Sequence, residues 1–179
     1  MKIGVDIDGV VCDTNWMWYQ YLLTRYDLKQ EWSGTHYRIP YNVSEMFVIP
    51  YGCDSFAFWK DPNLYEGLKP WKDSQEVLSK LKEKHEIIFI SQSKGFHSKS
   101  KYYFIDKWFP FKDGVVMTKE KHLVAVDAMI DDTNRVLDSM PENVLTIKFR
   151  VDTIQPESER KHKLATDWKD VYNILTENK

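Results

Sequence analysis

Cysteine is scarce in this chain: Cys12 and Cys53 are the only two among 179 residues. So few thiols, so far apart, give no metal-ligand spacing and no disulfide framework, and each is expected to be a reduced intracellular thiol. No apolar run approaches the length of a membrane span. The N-terminus passes directly into an apolar strand pattern without a signal-peptide pattern. The expectation is a soluble, cytoplasmic protein with no membrane partner. Charge of one sign is not in excess either: 25 Lys and Arg stand against 27 Asp and Glu, a formal net charge of −2. The basic residues are spread along the chain, so no surface for wrapping a nucleic-acid backbone is expected and no stable nucleic-acid partner. What is abundant is aromatic: 15% of the residues, including seven Trp. That content argues against disorder and is compatible with flat ligand-binding surfaces, although core packing takes up most aromatics in most proteins. The length fits one domain with a modest insertion and a substantial core. It leaves homodimerisation open.

The organising stretch is the N-terminal MKIGVDIDGVVCDT. Ile3, Val5 and Ile7 alternate as in a short buried strand, Val10 and Val11 continue the apolar character, and Gly9 marks a tight turn. Asp6 and Asp8 stand at the strand's exit with one residue between them, and Asp13 lies beyond. Close carboxylates repel, and burial raises their pKa, so a core strand gains no stability from ending this way. A bound cation resolves the conflict. One carboxylate and nearby backbone carbonyls can hold Mg²⁺ while the other carboxylate handles protons. The plainer alternative is an Asp-rich turn in which Asp8 caps a helix. The apolar strand before the pair and the glycine after it favour the cation site.

Residues 15–68 differ from their surroundings. Trp16, Trp18, Tyr19, Leu22, Leu23 and Tyr26 recur at helical spacing, predicting a helix of about three turns. A polar stretch without period follows, then short pieces broken at Pro50, Gly52, Pro62 and Pro70. No alternating strand pattern stands out. The segment is expected to be a small helical cap over the strand ends, with the core formed by 1–14 and 69–179.

From residue 70 the pattern turns regular. Asp73-Ser74-Gln75-Glu76 reads as a capping box opening a helix through Val77, Leu78 and Leu81. EIIFIS ending at Ser91 is an apolar run that stops at polar residues, as a buried parallel strand does. A helix is expected over Ser98 to Phe109, with Tyr102, Ile105, Trp108 and Phe109 as its apolar positions. Strands are expected at Val115–Met117, at Ala128–Ile130 running into Asp131-Asp132, and at Val144–Phe149. Thr166 is expected to cap a last helix through Trp168, Val171, Tyr172 and Leu175. Strands alternating with helices predict an α/β fold, a doubly wound parallel sheet. In such sheets functional groups gather beyond the carboxyl ends of the strands, where Asp6, Ser91, Asp131 and Asp132 fall.

VDIDGVVCDT resembles the first motif of the haloacid-dehalogenase-like phosphohydrolases, Asp-x-Asp-Gly-x-x-x-Asp/Thr. The resemblance implies a Rossmann-like core in which Asp6 is the nucleophile and Asp8 the general acid/base. It also implies three further stations in order. A Ser or Thr closes a hydrophobic strand and holds a phosphoryl oxygen, matched by Ser91. A Lys lies near the nucleophile, matched by Lys121 with Lys119 as the fallback. An acidic pair ends the next strand, matched by Asp131 and Asp132. Within this superfamily the chain is most similar to the 5'(3')-deoxyribonucleotidases, through FAFWKDPNLYEGLKPWKDSQEVLSKL, TKEKHLVAVDAMIDD and TDWKDVYNIL. It departs from that pattern at Gln92-Ser93, where Pro is common, and at Thr133, where Arg is common.

The closer resemblance implies a phosphatase that hydrolyses (deoxy)nucleoside monophosphates through an aspartyl-phosphate on Asp6. Mg²⁺ would sit among Asp6, the backbone carbonyl of Asp8 and Asp132, with Asp131 sharing that role or supporting it. The substrate would meet Ser91, Gln92 and Lys121, with Phe56, Phe58 and Trp59 against the nucleobase. Aromatics in a small cap can equally be its own core. Two rivals remain: a phosphatase of the same fold acting on another small phosphate ester or a polynucleotide 3'-phosphate, and a non-catalytic relative that binds a nucleotide or a protein.

Overall fold

Strand β1, Lys2–Val5, is flanked on both sides by parallel partners, so its alternating Ile3 and Val5 are fully buried. The computed structural model describes residues 1–33, 39–149 and 153–177. After β1 come helix α1 (Thr14–Leu23), the two-residue strand β2 (Ile39–Pro40), α2 (Ser74–Lys82), β3 (Glu86–Ser91), α3 (Ser98–Trp108) and β4 (Gly114–Met117). There follow β5 (Ala128–Asp131), α4 (Asn134–Ser139), β6 (Leu145–Phe149), β7 (Thr153–Ile154), β8 (Lys163–Ala165) and α5 (Trp168–Thr176). Six strands form one parallel sheet in the order β4-β3-β1-β5-β6-β8. From β1 the chain builds outward to β3 and β4, then crosses back to place β5 on β1's other side. The register sets Val5 beside both Phe89 and Ile130, so the carboxyl ends of β1, β3 and β5 stand next to one another. That juxtaposition is what collects the polar groups at one rim.

Alternate strand residues feed two faces, as the period of two requires. Ile3, Val5, Ile87, Phe89, Ala128, Ile130, Ile147 and Phe149 join Leu78, Leu81, Phe104, Ile105, Val171 and Leu175 from α2, α3 and α5. On the other face Ile90 and Met129 pack with Leu137 of α4 and with Met140 and Val144. Helices therefore cover both faces and the fold is α/β. The 15–68 segment has no separate interior: Trp18, Leu22, Val43, Met46, Phe47, Phe58, Leu64 and Tyr65 belong to the larger cluster. Among its described residues it holds, besides α1, the short 3-10 turns Gln30–Trp32, Val43–Met46 and Ala57–Lys60.

Local expectations differ from the structure in four places. The 15–68 segment contributes β2, which pairs in parallel with β7; two residues are too few to carry an alternating pattern. At α2, Asp73 takes a left-handed backbone (φ 66°) and makes no side-chain cap, while Ser74 Oγ turns back to the Trp71 carbonyl. At α5 the cap is Asp167, whose side chain accepts from the Lys169 and Asp170 amides, with Asp170 in turn accepting from Thr166. On α3, Tyr102 is exposed and the inward positions are Ser100, Lys101, Phe104 and Ile105. Among the described residues no helix is long and apolar enough to cross a membrane.

Candidate active site

Beyond β1 the chain stays extended for Asp6 and then turns at once. The Asp6 amide donates to Ile130 O at 3.0 Å, and the Val11 and Cys12 amides both return to Ile7 O. Gly9 makes this turn with φ +73°, a conformation that L side chains rarely adopt. Asp6 and Asp8 stand on either side of the bend at Ile7, and their carboxylates meet different lysines, Lys121 and Lys101. Asp13 stands apart from both, since its carboxylate caps α1 by accepting from the Trp16 amide at 3.0 Å. The capping role open to Asp8 thus belongs to Asp13.

Asp6 is buried between Lys121 and the end of β5. Lys121 Nζ is 2.7 Å from Asp6 Oδ1 and 2.7 Å from Asp131 Oδ2. Only the second of these is an aligned hydrogen bond, so among the described residues Asp6 Oδ1 is held by the ion pair alone. Burial pushes the Asp6 carboxyl up to about 6; Lys121 opposes that shift, while Asp131 and Asp8 add to it. Lys121 stays protonated, because the charges of Asp131 and Asp6 outweigh its own burial. A 3-10 turn at Lys121–Leu123 aims this side chain inward. The fallback, Lys119, is 71% exposed and pairs with Glu120, so Lys121 occupies the position.

The acidic pair divides. Asp131 has both oxygens engaged, Oδ2 by Lys121 and Oδ1 by the amide (2.8 Å) and hydroxyl of Thr133. Asp132 receives no side-chain hydrogen bond from the described residues. Burial, Asp131 and Asp6 push its carboxyl well above the usual range. One oxygen from each of Asp6, Asp131 and Asp132 can be chosen within 4.8 Å of the others. Three buried carboxylates around the Lys121 ammonium form a hard oxygen donor set short of positive charge. That donor set fits Mg²⁺.

Asp8 is held on a different lysine. Lys101 Nζ, on a side chain only 1% exposed, is 2.6 Å from Asp8 Oδ2, and the Tyr65 hydroxyl donates to Asp8 Oδ1 at 2.6 Å. Burial raises the Asp8 carboxyl, but Lys101, by charge and hydrogen bond, and Tyr65 together hold it below the usual range. The same ammonium donates to Ser91 Oγ at 3.2 Å and to Gln92 O at 2.8 Å. The Gln92 carbonyl therefore faces this centre, while the residue as a whole is exposed.

The fold thus brings Asp6, Asp8, Ser91, Lys121, Asp131 and Asp132 to one rim. It adds residues that sequence reasoning passed over. Lys101 is one, and its signal was present: with Phe104, Ile105 and Trp108 it completes an i, i+3, i+4, i+7 stripe, where a lysine is out of place. Tyr65 had no such signal. Tyr41, though half exposed, lies close enough to Asp132, Asp6 and Asp131 that burial and their charges raise its phenol and keep it protonated. Lys148 and Gln155 both donate to the Asp132 carbonyl and steady the backbone there.

The three aromatics split. Phe58 is 7% exposed and packs against Tyr21 and Trp59. Phe56 is 43% exposed, its ring 5.1 Å from Trp18. Trp59 is half-buried, and its carbonyl lies 3.1 Å from His97 Nδ1 beside α3.

Comparison with known proteins identifies the fold and the family. Over 98% of both chains the fold matches the HAD-hydrolase YfnB of Bacillus subtilis, described bound to magnesium, with TM-score 0.64 and 13% identity. It also matches a dehalogenase (TM-score 0.60, 12% identity, 99% and 97% of the two chains). A third match is a haloacid dehalogenase-like hydrolase of Xanthomonas campestris (TM-score 0.56, 10% identity, 98% and 94%). In sequence the chain is 25% identical over 192 aligned positions to the human mitochondrial 5'(3')-deoxyribonucleotidase, covering 94% of this chain and 81% of that protein. The family model for "5' nucleotidase, deoxy (Pyrimidine), cytosolic type C protein" matches residues 1–179. The chain belongs to that family, and so to the haloacid-dehalogenase-like nucleotidases, phosphoric monoester hydrolases built on this α/β core.

Proposed function

We propose that this chain is a Mg²⁺-dependent phosphatase of deoxynucleoside monophosphates that works through an aspartyl-phosphate on Asp6. The observation that carries the reading is the state of Asp6: a buried carboxylate whose Oδ1 is ion-paired with a protonated Lys121 at 2.7 Å, two positions from a second anchored carboxylate. Asp6 and Asp132, with the Asp8 carbonyl, would hold Mg²⁺, which when bound supplies positive charge between the carboxylates and a phosphate dianion. Asp131, with both oxygens engaged, serves by holding Lys121.

An Asp6 oxygen attacks phosphorus, the ester P–O bond breaks, and its electron pair leaves on the sugar oxygen. That oxygen would depart as a strongly basic alkoxide, so it takes a proton from Asp8. The incoming phosphate dianion favours the protonated form of Asp8, offsetting the hold of Lys101. Asp8 then takes a proton from the water that attacks the acyl phosphate, which releases phosphate and regenerates Asp6. Lys121 and the Ser91 hydroxyl stabilise the equatorial oxygens as charge shifts. Residues 15–68 act as the cap, with Phe56 and Trp59 offering faces to the nucleobase and Phe58 supporting them from behind. The name of the human relative supports a deoxynucleotide as the substrate.

The test is phosphate release from deoxynucleotides, ribonucleotides, sugar phosphates and a 3'-phosphorylated oligonucleotide, each with Mg²⁺ and with chelator. Release that requires Mg²⁺ and is fastest on a deoxynucleotide is expected, and Asp6→Asn should lower it by at least about 10³-fold while leaving the fold intact. Release confined to sugar phosphates would remove the nucleobase pocket. Release by Asp6→Asn at the parent rate would remove the nucleophile.

A further inference from the structure

Lys101 is a fully buried ammonium ninety-three residues from its carboxylate partner in the chain. Its position on α3 continues the inward stripe of Phe104 and Ile105, which an apolar side chain would fill without the cost of desolvating a charge. The contacts explain what the charge does there. An ammonium has three donors and no acceptor. All three are used, toward Asp8 Oδ2 (2.6 Å), Ser91 Oγ (3.2 Å) and Gln92 O (2.8 Å). No other described residue hydrogen-bonds to both the Asp8 carboxylate after β1 and the Ser91 hydroxyl at the end of β3.

The polarity of these bonds matters more than their number. Because Lys101 donates to Ser91 Oγ, it occupies a lone pair there and leaves the serine's own O–H as a donor. That hydrogen has no acceptor among the described residues. At the same time the carboxylate of Asp8 is pinned at both ends, by Lys101 on Oδ2 and by the Tyr65 hydroxyl on Oδ1 at 2.6 Å, with the Tyr65 ring centroid 4.8 Å from the ammonium.

We propose that Lys101 is a positioning residue that orients the Asp8 carboxylate and turns the Ser91 hydroxyl outward as a donor to the phosphoryl group. The inference rests on the reading of Asp6 as nucleophile and Asp8 as acid/base. Lys101 acts through Asp8 and Ser91 and does not touch the reacting atoms. Its two effects separate by leaving group. An alkyl ester needs the proton from Asp8, whereas 4-nitrophenyl phosphate leaves as a stable phenolate and needs little help. Loss of the Ser91 orientation harms both esters alike.

The experiment compares the full chain with Lys101→Met on a deoxynucleoside 5'-monophosphate and on 4-nitrophenyl phosphate, both with Mg²⁺, following the pre-steady-state burst of nitrophenolate. The expected result is a fall in kcat on the nucleotide of about 10²–10⁴-fold, with a fall in burst rate at least about tenfold smaller. Equal losses on the two esters, or no loss on either, would overturn the proposal while leaving the phosphatase reading in place. Absence of turnover by the unsubstituted chain would overturn both. A second variant separates positioning from packing and stands in if Lys101→Met does not fold. In a Cys12→Ala, Cys53→Ser background, Lys101→Cys is unfolded in urea, alkylated with 2-bromoethylamine, which restores an ammonium at nearly the same reach, or with iodoethane, which does not, and refolded. Recovery of nucleotide turnover only with the ammonium is expected. Equal recovery with both groups would reduce Lys101 to a spacer.

Discussion

Gly9 and Asp132 lie so close that neither the turn nor the carboxylate has room for a larger neighbour. A Cβ added to Gly9 would sit 2.4 Å from Asp132 Oδ2 and 2.7 Å from its Cγ, and φ at Gly9 is +73°. The turn after β1 and the acidic pair after β5 are therefore one packed unit. Gly9→Ala combines a left-handed backbone at a residue with a side chain and a displaced carboxylate, together costing roughly 1–3 kcal/mol. A lowered urea midpoint is expected, with a larger proportional loss of phosphatase activity than of stability. Unchanged activity would show that Asp132 need not stand where it does.

Asp132→Asn should have opposite effects on stability and on activity. In the metal-free chain it removes one of three mutually repelling buried carboxylates, so the thermal midpoint should rise, by roughly 0.5–2 kcal/mol of stability. Mg²⁺ should raise the midpoint of the parent chain by binding the folded state alone. It should raise that of Asp132→Asn far less, and activity should be lost. An equal Mg²⁺ shift in both chains would place the cation elsewhere.

Phe56 and Phe58, two residues apart, should separate cleanly. Phe56→Ala removes an exposed ring; if that ring stacks on the base, KM for a deoxynucleotide should rise by about 5- to 150-fold, the equivalent of about 1–3 kcal/mol. KM for 4-nitrophenyl phosphate should change little. Phe58→Ala empties a buried site and should cost about 3–5 kcal/mol of stability. Chemical denaturation and paired kinetics on the two substrates decide both.

Stability should decline with acidity partly through His162. Its ring is held by Thr146 Oγ1 (2.8 Å), Ser158 Oγ (2.7 Å) and Asp138 Oδ1 (3.0 Å), and burial lowers its pKa below 6.5 despite Asp138. The unfolded chain therefore takes up a proton at this position at a higher pH than the folded chain does. Stability is retained above about pH 6.5 and falls as pH drops below it. Asp138 adds the same sign at lower pH: its carboxyl is lowered, since Ser158, the Glu159 amide and His162 outweigh its burial, and its protonation withdraws stability. His162→Asn should flatten the slope of unfolding free energy below about pH 6.5. An unchanged slope would assign the acid sensitivity to carboxylates alone.

The parallel sheet and the rim were legible because their signals are local. An apolar run ending in Asp6, Ser91 or Asp131 records both the burial of a strand and its polar exit, and parallel strands bring like ends together. The Asp-Gly pair after β1 needs only its neighbours to turn. The edge strand β8 left no such record, with two of its three residues exposed, nor did the two-residue β2 and β7.

Atomic partnership is where local signals end. Asp131 and Asp132 look alike in sequence, yet Thr133 and Lys121 occupy the first carboxylate, while the second accepts no hydrogen bond from the described residues. Lys101 and Lys121 are both lysines among other lysines, yet one meets Asp8 and the other Asp6. Phe58 is buried and Phe56 is exposed, with one residue between them. The order of residues determined which chemical groups reach the rim, because strand burial and direction are written in periodicity. Only the assembled sheet decided which oxygen meets which ammonium, because those distances depend on β1, β3 and β5 being aligned across segments far apart in the chain.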